Sequence, residues 1–274
     1  MNDKAGATRV VYIAGLARSG TTFLELVLSG HKDIVGLGEI SQTIDGICQI
    51  PEDMKKYGVW IDIEKRSCSC SKSVDSCEFW GDFKGKDWSK TELFEVIFQR
   101  AKEVFPSKVI VDSSKHITSY EKYYLKSNSL KPRVVLLIRD FRSWIPSVNK
   151  HARKLNLRTA SYVYQAYRWY WANRRYIKFF SDAGADFLVV PYERLVFDFE
   201  DEIRRIAEFI GVDTGKFGGE VTAHDVYGSL HKNIGSKIKI PKYDYSWMVD
   251  SNLCTLNPLL LPQLILNKKI YDIS

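Results

Sequence analysis

Apolar runs and longer amphipathic stretches alternate along the 274 residues. Residues 9–14, 108–111, 133–138 and 186–191 are short, nearly continuous apolar runs rich in β-branched side chains. Runs of that length without polar alternation read as strands covered on both faces. A fifth and shorter piece is Ile34-Val35-Gly36-Leu37. Between these runs the apolar period lengthens to that of a helix. One helical stretch covers 24–30, with Gly30 as its stop. A second covers 91–105, with Leu93, Phe94, Ile97, Phe98, Ala101 and Phe105 on one face, and a third, 161–180, is aromatic-rich. A fourth, 200–210, ends at Gly211. Strands alternating with helices predict an α/β domain with a central parallel sheet and helices on both faces. Residues 48–90, punctuated by Pro51, Gly58, Gly81 and Gly85, break the pattern. They read as an irregular insertion within a single domain spanning 1–274.

The first apolar run leads into Gly15-Leu16-Ala17-Arg18-Ser19-Gly20-Thr21-Thr22 and then into a helix. Strand, glycine-bounded loop and helix in that order form a phosphate-binding arrangement. The backbone curls N–H groups toward an anion, and the helix adds its partial positive N-terminus. A P-loop-like topology follows. Nucleotide hydrolases place a lysine after the second glycine, whereas here Thr21 stands there and the cation is Arg18, inside the loop. This suits a shorter anion than a triphosphate, held by hydroxyls, amides and one guanidinium. A second anion signal comes at the end of the 133–138 run. Arg139 leaves the strand, a helix is expected from near Ser143 with Pro146 in its first turn, and Ser147 follows one turn in. Glu39 sits beyond the 34–37 piece, where a carboxylate can take a proton from an acceptor. Lys115 and His116 follow the third strand.

Composition adds boundaries. Apolar residues make up 45% and charged residues 27%, ordinary for a globular protein. The net charge of +7 suits a polyanionic nucleotide, and no basic stripe or reader motif points to nucleic acid. Residues 1–8 are polar without an apolar core, and no run approaches a membrane span, so a cytoplasmic protein is expected. Three of the five cysteines cluster as Cys68-Ser69-Cys70 and Cys77-Glu78-Phe79-Trp80. A structural zinc needs four ligands, and no histidine lies nearby in sequence. Metal, a local disulfide and free thiols all stay open for Cys68, Cys70 and Cys77.

Arg18-Ser19-Gly20-Thr21-Thr22, followed by His31-Lys32-Asp33 and Gly38-Glu39, resembles the 5′-phosphosulfate loop of the PAPS-dependent sulfotransferases. The likeness is nearest to the branch with tyrosylprotein and many bacterial sulfotransferases. It implies transfer of a sulfuryl group from 3′-phosphoadenosine 5′-phosphosulfate (PAPS) to a hydroxyl or amine, with PAP as product and no metal required. It further implies Glu39 as base, Lys115 and Arg18 at the transferred group, and Ser19, Gly20, Thr21 and Thr22 around the 5′ end. Arg139 and Ser147 match the 3′-phosphate segment, and Tyr192, after the fourth long run, matches a tyrosine near the nucleotide. A lysine-rich stretch containing Ser236 and Lys237 is similar to a loop that closes over the nucleotide. The cytosolic small-molecule enzymes use a histidine base close to the Lys115 position, which keeps His116 as second candidate. Cys-x-Cys and Cys-x-Phe-Trp segments like these fall in an insertion of related enzymes. The acceptor, whether small molecule, carbohydrate, lipid or peptide, and the oligomeric state are not readable. A nucleotide-dependent kinase or hydrolase and a non-catalytic nucleotide-binding module are the alternatives. The absent loop lysine argues against the first, and the presence of both Glu39 and Lys115 argues against the second.

Overall fold

The computed structural model describes residues 9–48, 67–83, 87–214, 217, 222–225 and 258–273. Ser236 and Lys237 therefore lie outside the described residues, as do residues 1–8 and most of the 48–90 insertion. Five strands form a single parallel sheet in the order β2-β3-β1-β4-β5. They are β1 (Val10–Ala14), β2 (Ile34–Gly36), β3 (Val109–Lys115), β4 (Arg133–Ile138) and β5 (Phe187–Pro191). β1 and β2 are buried throughout, and β4 is buried apart from its first residue. That burial is why these strands carry no polar alternation. The chain contacts group into two compact units.

The first unit contains Thr22–Arg133 with β1 up to Ile13 and the segment after Val212. Helix α1 (Thr21–Ser29) leads to β2, and α2 (Ile40–Ile47) begins directly after Glu39. Helix α3 (Lys90–Val104) starts where the Ser89 side chain accepts from the Glu92 N–H, and it buries Leu93, Phe94, Ile97, Phe98 and Ala101. β2 runs parallel to β3 with Gly36 opposite Val111. The Ser113 N–H then reaches the Gly38 carbonyl at 2.9 Å. This register sets Gly38-Glu39 beside the end of β3. β3 extends four residues beyond the apolar run that announced it, through Asp112, Ser113, Ser114 and Lys115. The polar extension is buried, and hydrogen bonds described below compensate it. A short turn, α4 (Ile117–Ser119), and a π-helical turn (Tyr120–Tyr124) follow.

The second unit contains Ala14–Thr21, Val134–Gly211 and the C-terminal helix. β4 pairs in parallel with β5 from Val134↔Phe187 to Ile138↔Pro191, so Arg139 and Tyr192 leave the strand ends as neighbours. Helix α5 (Phe141–Lys154) starts earlier than expected, because the Asp140 carboxylate accepts from the Arg142 N–H at 2.8 Å and caps it. Pro146 is consequently inside the helix rather than in a first turn beginning at Ser143. Helix α6 (Tyr162–Asp182) buries Gln165, Trp169, Asn173, Tyr176 and Phe180 along one stripe. The short α7 (Tyr192–Phe197) is followed by α8 (Phe199–Ile210), which ends at Gly211 in the left-handed conformation. Helix α9 (Leu261–Ile273) closes the described chain. Among the described residues no helix is long and apolar enough to cross a membrane.

Candidate active site

In the second unit the glycine loop is held from outside by three aromatic and cationic donors. Tyr176 Oη donates to the Gly15 carbonyl at 3.2 Å, Trp144 Nε1 to Ala17 at 2.9 Å, and Arg139 Nη1 to Arg18 at 3.3 Å. These bonds fix the loop's peptide planes. A β-carbon on Gly15 would sit 2.5 Å from the Leu137 carbonyl oxygen, and one on Gly20 2.4 Å from the Tyr192 ring. Both glycines also have positive φ, so each is required sterically and conformationally. Arg18 adopts a left-handed φ of 73°, an uncommon conformation for a side-chain-bearing residue, and is exposed. Ser19 is buried, and its Oγ has no hydrogen-bond partner among the described residues. Such orphaned hydroxyls are rare in interiors and mark a place where a ligand atom completes the set.

Arg139 Nε donates to Ser143 Oγ at 2.8 Å, and its guanidinium lies 4.9 Å from the centre of the Tyr192 ring. Ser143 Oγ donates to Glu193 Oε1 at 2.6 Å, while Glu193 Oε2 accepts from the Asp140 N–H at 3.1 Å. Tyr271 Oη also donates to Glu193. Burial pushes the Tyr192 hydroxyl pKa up, opposed by the Arg139 charge. The hydroxyl on Arg139 is thus Ser143, one turn ahead of Ser147. Ser147 lies further along α5, half-buried, outside this hydrogen-bond set.

In the first unit Glu39 and Lys115 form an ion pair, with Nζ 2.5 Å from Oε1. Gln42 Nε2 donates to the other oxygen. Glu39 is 5% exposed. Its backbone carbonyl opens α2, accepting from Gln42 and Thr43 N–H, but its side chain caps nothing and turns inward. Burial raises its pKa above the ordinary carboxylate range, and the Lys115 charge opposes that rise. Lys115 is the second functional candidate with a left-handed backbone, at φ 55°. His116 is exposed and outside this set.

Three carboxylates that no local pattern announced lie around this pair. Glu25 accepts from the Gly38 N–H at 2.7 Å and Ser113 Oγ at 2.5 Å. Burial, reinforced by the negative charge of Asp225, holds its pKa well above normal. Asp112 accepts from Ser114 N–H, Ser114 Oγ, Ile40 N–H and Tyr124 Oη, and burial pushes it up to about 6. Asp225 packs on Gly38, where an added β-carbon would meet its Oδ1 at 2.2 Å. Through their bonds to the Gly38 and Ile40 N–H groups, Glu25 and Asp112 fix the backbone on either side of Glu39.

The cysteine segment also gathers a partner absent from its neighbourhood in sequence. Cys68, Cys70 and Cys77 are free thiols in the structure, and His224 Nδ1 lies 3.7 Å from Cys68 Sγ and 3.4 Å from Cys77 Sγ.

The profile of the sulfotransferase family matches residues 11–215, three quarters of the chain. The chain belongs to the sulfotransferase family. No curated protein sequence matches it. Among solved structures it resembles the sulfotransferase domain of the Synechococcus PCC 7002 olefin synthase, with a TM-score of 0.61 and 18% identity over 98% of this chain and 97% of that one. It also resembles the sulfotransferase domain of the curacin biosynthetic pathway, with a TM-score of 0.61 and 16% identity over 96% and 98%. At these identities the likeness is one of fold, and the sulfotransferase fold agrees with the P-loop-like α/β reading.

Proposed function

We propose that this sulfotransferase uses PAPS as donor and transfers its sulfuryl group in line to an acceptor hydroxyl or amine. The observation that carries the donor assignment is the loop itself. It is glycine-bounded, lacks the hydrolase lysine, and buries the unpartnered Ser19 Oγ. Around it, Gly20, Thr21 and Thr22 with Ser19 would hold the 5′-phosphosulfate. Arg139, with Tyr192 stacked beneath it, would hold the 3′-phosphate. Ser143 presents the nearer hydroxyl, and Ser147 is kept from the sequence as a further contact. Ser236 and Lys237 are proposed on sequence alone.

Glu39 takes the acceptor proton. Its burial favours this, because a desolvated carboxylate gains more from proton uptake than a hydrated one. Lys115, in the free enzyme, neutralises Glu39. In the reaction it and Arg18 stabilise the charge that develops on the departing and transferred oxygens, an electrostatic role that needs no metal. When Lys115 turns to the departing oxygen it ceases to stabilise ionised Glu39, so the base strengthens as the leaving group is neutralised. The acceptor is of the hydroxyl or amine class.

Titration calorimetry with PAP, with ADP as control and chelator present, tests the donor assignment. Binding of PAP at least about tenfold tighter than ADP, a difference of ~1.4 kcal/mol, supports a distinct 3′-phosphate site. Equal affinities, or PAP binding that requires Mg²⁺, would overturn it.

A further inference from the structure

We infer that Cys68, Cys70, Cys77 and His224 bind one zinc ion that ties the cysteine insertion to the segment behind Glu39. The four ligand atoms lie within 4.8 Å of one another. Cys70 Sγ is 3.7 Å from Cys77 Sγ, and His224 Nδ1 is 3.7 Å from Cys68 Sγ and 3.4 Å from Cys77 Sγ. A tetrahedral zinc with bonds of ~2.3 Å to sulfur and ~2.0 Å to nitrogen demands edges of about 3.8 Å between sulfurs and about 3.6 Å between sulfur and nitrogen. These three edges already match, and every other ligand pair lies within 4.8 Å. A disulfide would draw two of the sulfurs to ~2 Å and leave the other ligands without a centre.

The chelating loop is shaped for this. The Cys68 N–H donates to the Lys72 carbonyl at 2.8 Å and the Ser71 N–H to the Cys68 carbonyl at 2.9 Å, with Ser71 left-handed at φ 67°. That tight turn brings Cys68 and Cys70 to one side, and a 3₁₀ turn at Val74–Ser76 returns Cys77 to them. The fourth ligand comes from far along the chain and is held independently. The His224 N–H donates to the Gly36 carbonyl at 2.8 Å, and its carbonyl accepts from Trp80 Nε1 at 2.5 Å. Its ring rests against Phe79 and Phe105. Ser69 brackets it, donating through Oγ to the Ala223 carbonyl and accepting from the Asp225 N–H, both at 2.8 Å.

Four protein ligands leave no open position, so the site is structural rather than catalytic. Cys68 and Cys77 are buried, which excludes water from the centre. Zinc binding releases the thiol protons to solvent and requires no oxidant. The soft, three-sulfur and one-nitrogen donor set selects zinc over magnesium or calcium, which take oxygen. The ion would do for residues 67–83, which have two one-turn helices and a single β-bridge between Ser67 and Ser73, what a disulfide does for a small secreted domain. It would also hold Asp225 against Gly38, and so Glu39 in place.

The test is metal analysis of the full-length protein, expressed with zinc and purified under reducing conditions with a weak chelator. About one zinc per chain is expected in the wild type, falling at least about tenfold in Cys77→Ser and His224→Ala. The cobalt-substituted protein should show the intense visible bands of tetrahedral cobalt, together with sulfur-to-metal charge transfer. His224→Cys guards against variants that fail to fold. It retains the ion, and its cobalt bands move to longer wavelength as a fourth sulfur replaces nitrogen. A folded, PAP-binding wild type purified without zinc would overturn the inference. So would a full metal complement in a Cys77→Ser, His224→Ala double variant, or cobalt bands unmoved in His224→Cys.

Discussion

Glu39 concentrates the proposed chemistry in one carboxyl group, and its environment makes a directional prediction. Burial raises its pKa, and the Lys115 charge restrains the rise. A base must be deprotonated to work, so the rate should fall as pH drops through this raised value. The acid limb of kcat/KM should therefore lie above ~4.3, the value of an unperturbed glutamate. Replacing Lys115 by methionine removes the restraint and leaves the burial. The acid limb of Lys115→Met should consequently move to higher pH while kcat falls. Glu39→Gln should lower kcat by about 10²–10⁴-fold, the usual range for a lost general base, with PAP affinity nearly unchanged. Rate profiles and PAP titrations on both variants check this. An acid limb that stays in place in Lys115→Met, or collapse of PAP binding in Glu39→Gln, would make the pair a structural brace.

At the scale of elements, the polar extension of β3 carries a stability signature. Asp112 is fully buried among four donors, and burial lifts it to about 6. The native carboxyl thus holds its proton more tightly than the unfolded one, with its ordinary pKa of ~3.9. Stability contributed by this group is present below about pH 4 and is lost as pH rises toward about 6, by on the order of 3 kcal/mol. Asp112→Asn should flatten that part of the stability–pH curve, measured by urea unfolding at several pH values. An unchanged slope would show that another group, such as Glu25, carries it. The extension also shows what a sequence pattern can and cannot disclose. The apolar runs of β1, β3, β4 and β5 were legible because burial on both faces leaves a local, unbroken signature. The loop from Gly15 to Gly20 was legible because glycine spacing is local too. Asp112, Ser113 and Ser114 were not, since a buried polar residue is recognisable only through its donors, and those include Ile40 and Tyr124. That Ser143 bonds Arg139 was hidden for a similar reason: the Asp140 cap starts the helix before Ser143 and puts that hydroxyl in its first turn, one turn closer to Arg139 than Ser147. His224 lies 147 residues from Cys77. No spacing rule reaches that far, which is why three cysteines looked one ligand short.

For the whole molecule, the single-domain reading of 1–274 requires the two compact units to unfold as one body. A ligand that binds only the native state stabilises whatever cooperative unit contains its site, by ~2.7 kcal/mol at a hundred times its Kd. In a chain of this size each kcal/mol moves the midpoint by roughly 2–4 °C. The loop Ala14–Thr21, Arg139 and Tyr192 all belong to the second unit, whereas Glu39 and Lys115 belong to the first. If the chain is one cooperative domain, scanning calorimetry with saturating PAP should shift a single transition as a whole, by about 5–10 °C. Near-ultraviolet signals from Trp80 in the first unit and Trp144 and Trp169 in the second should then move together. A transition that splits, with only the second unit's part following PAP, would refute the single-domain reading while leaving the nucleotide assignment intact. Loss of any shift would do the reverse. Adding chelator to the same scan separates the contribution of the proposed metal. Removal of the ion should lower the transition of the unit that holds the cysteine segment, and in a single cooperative domain it lowers the whole curve.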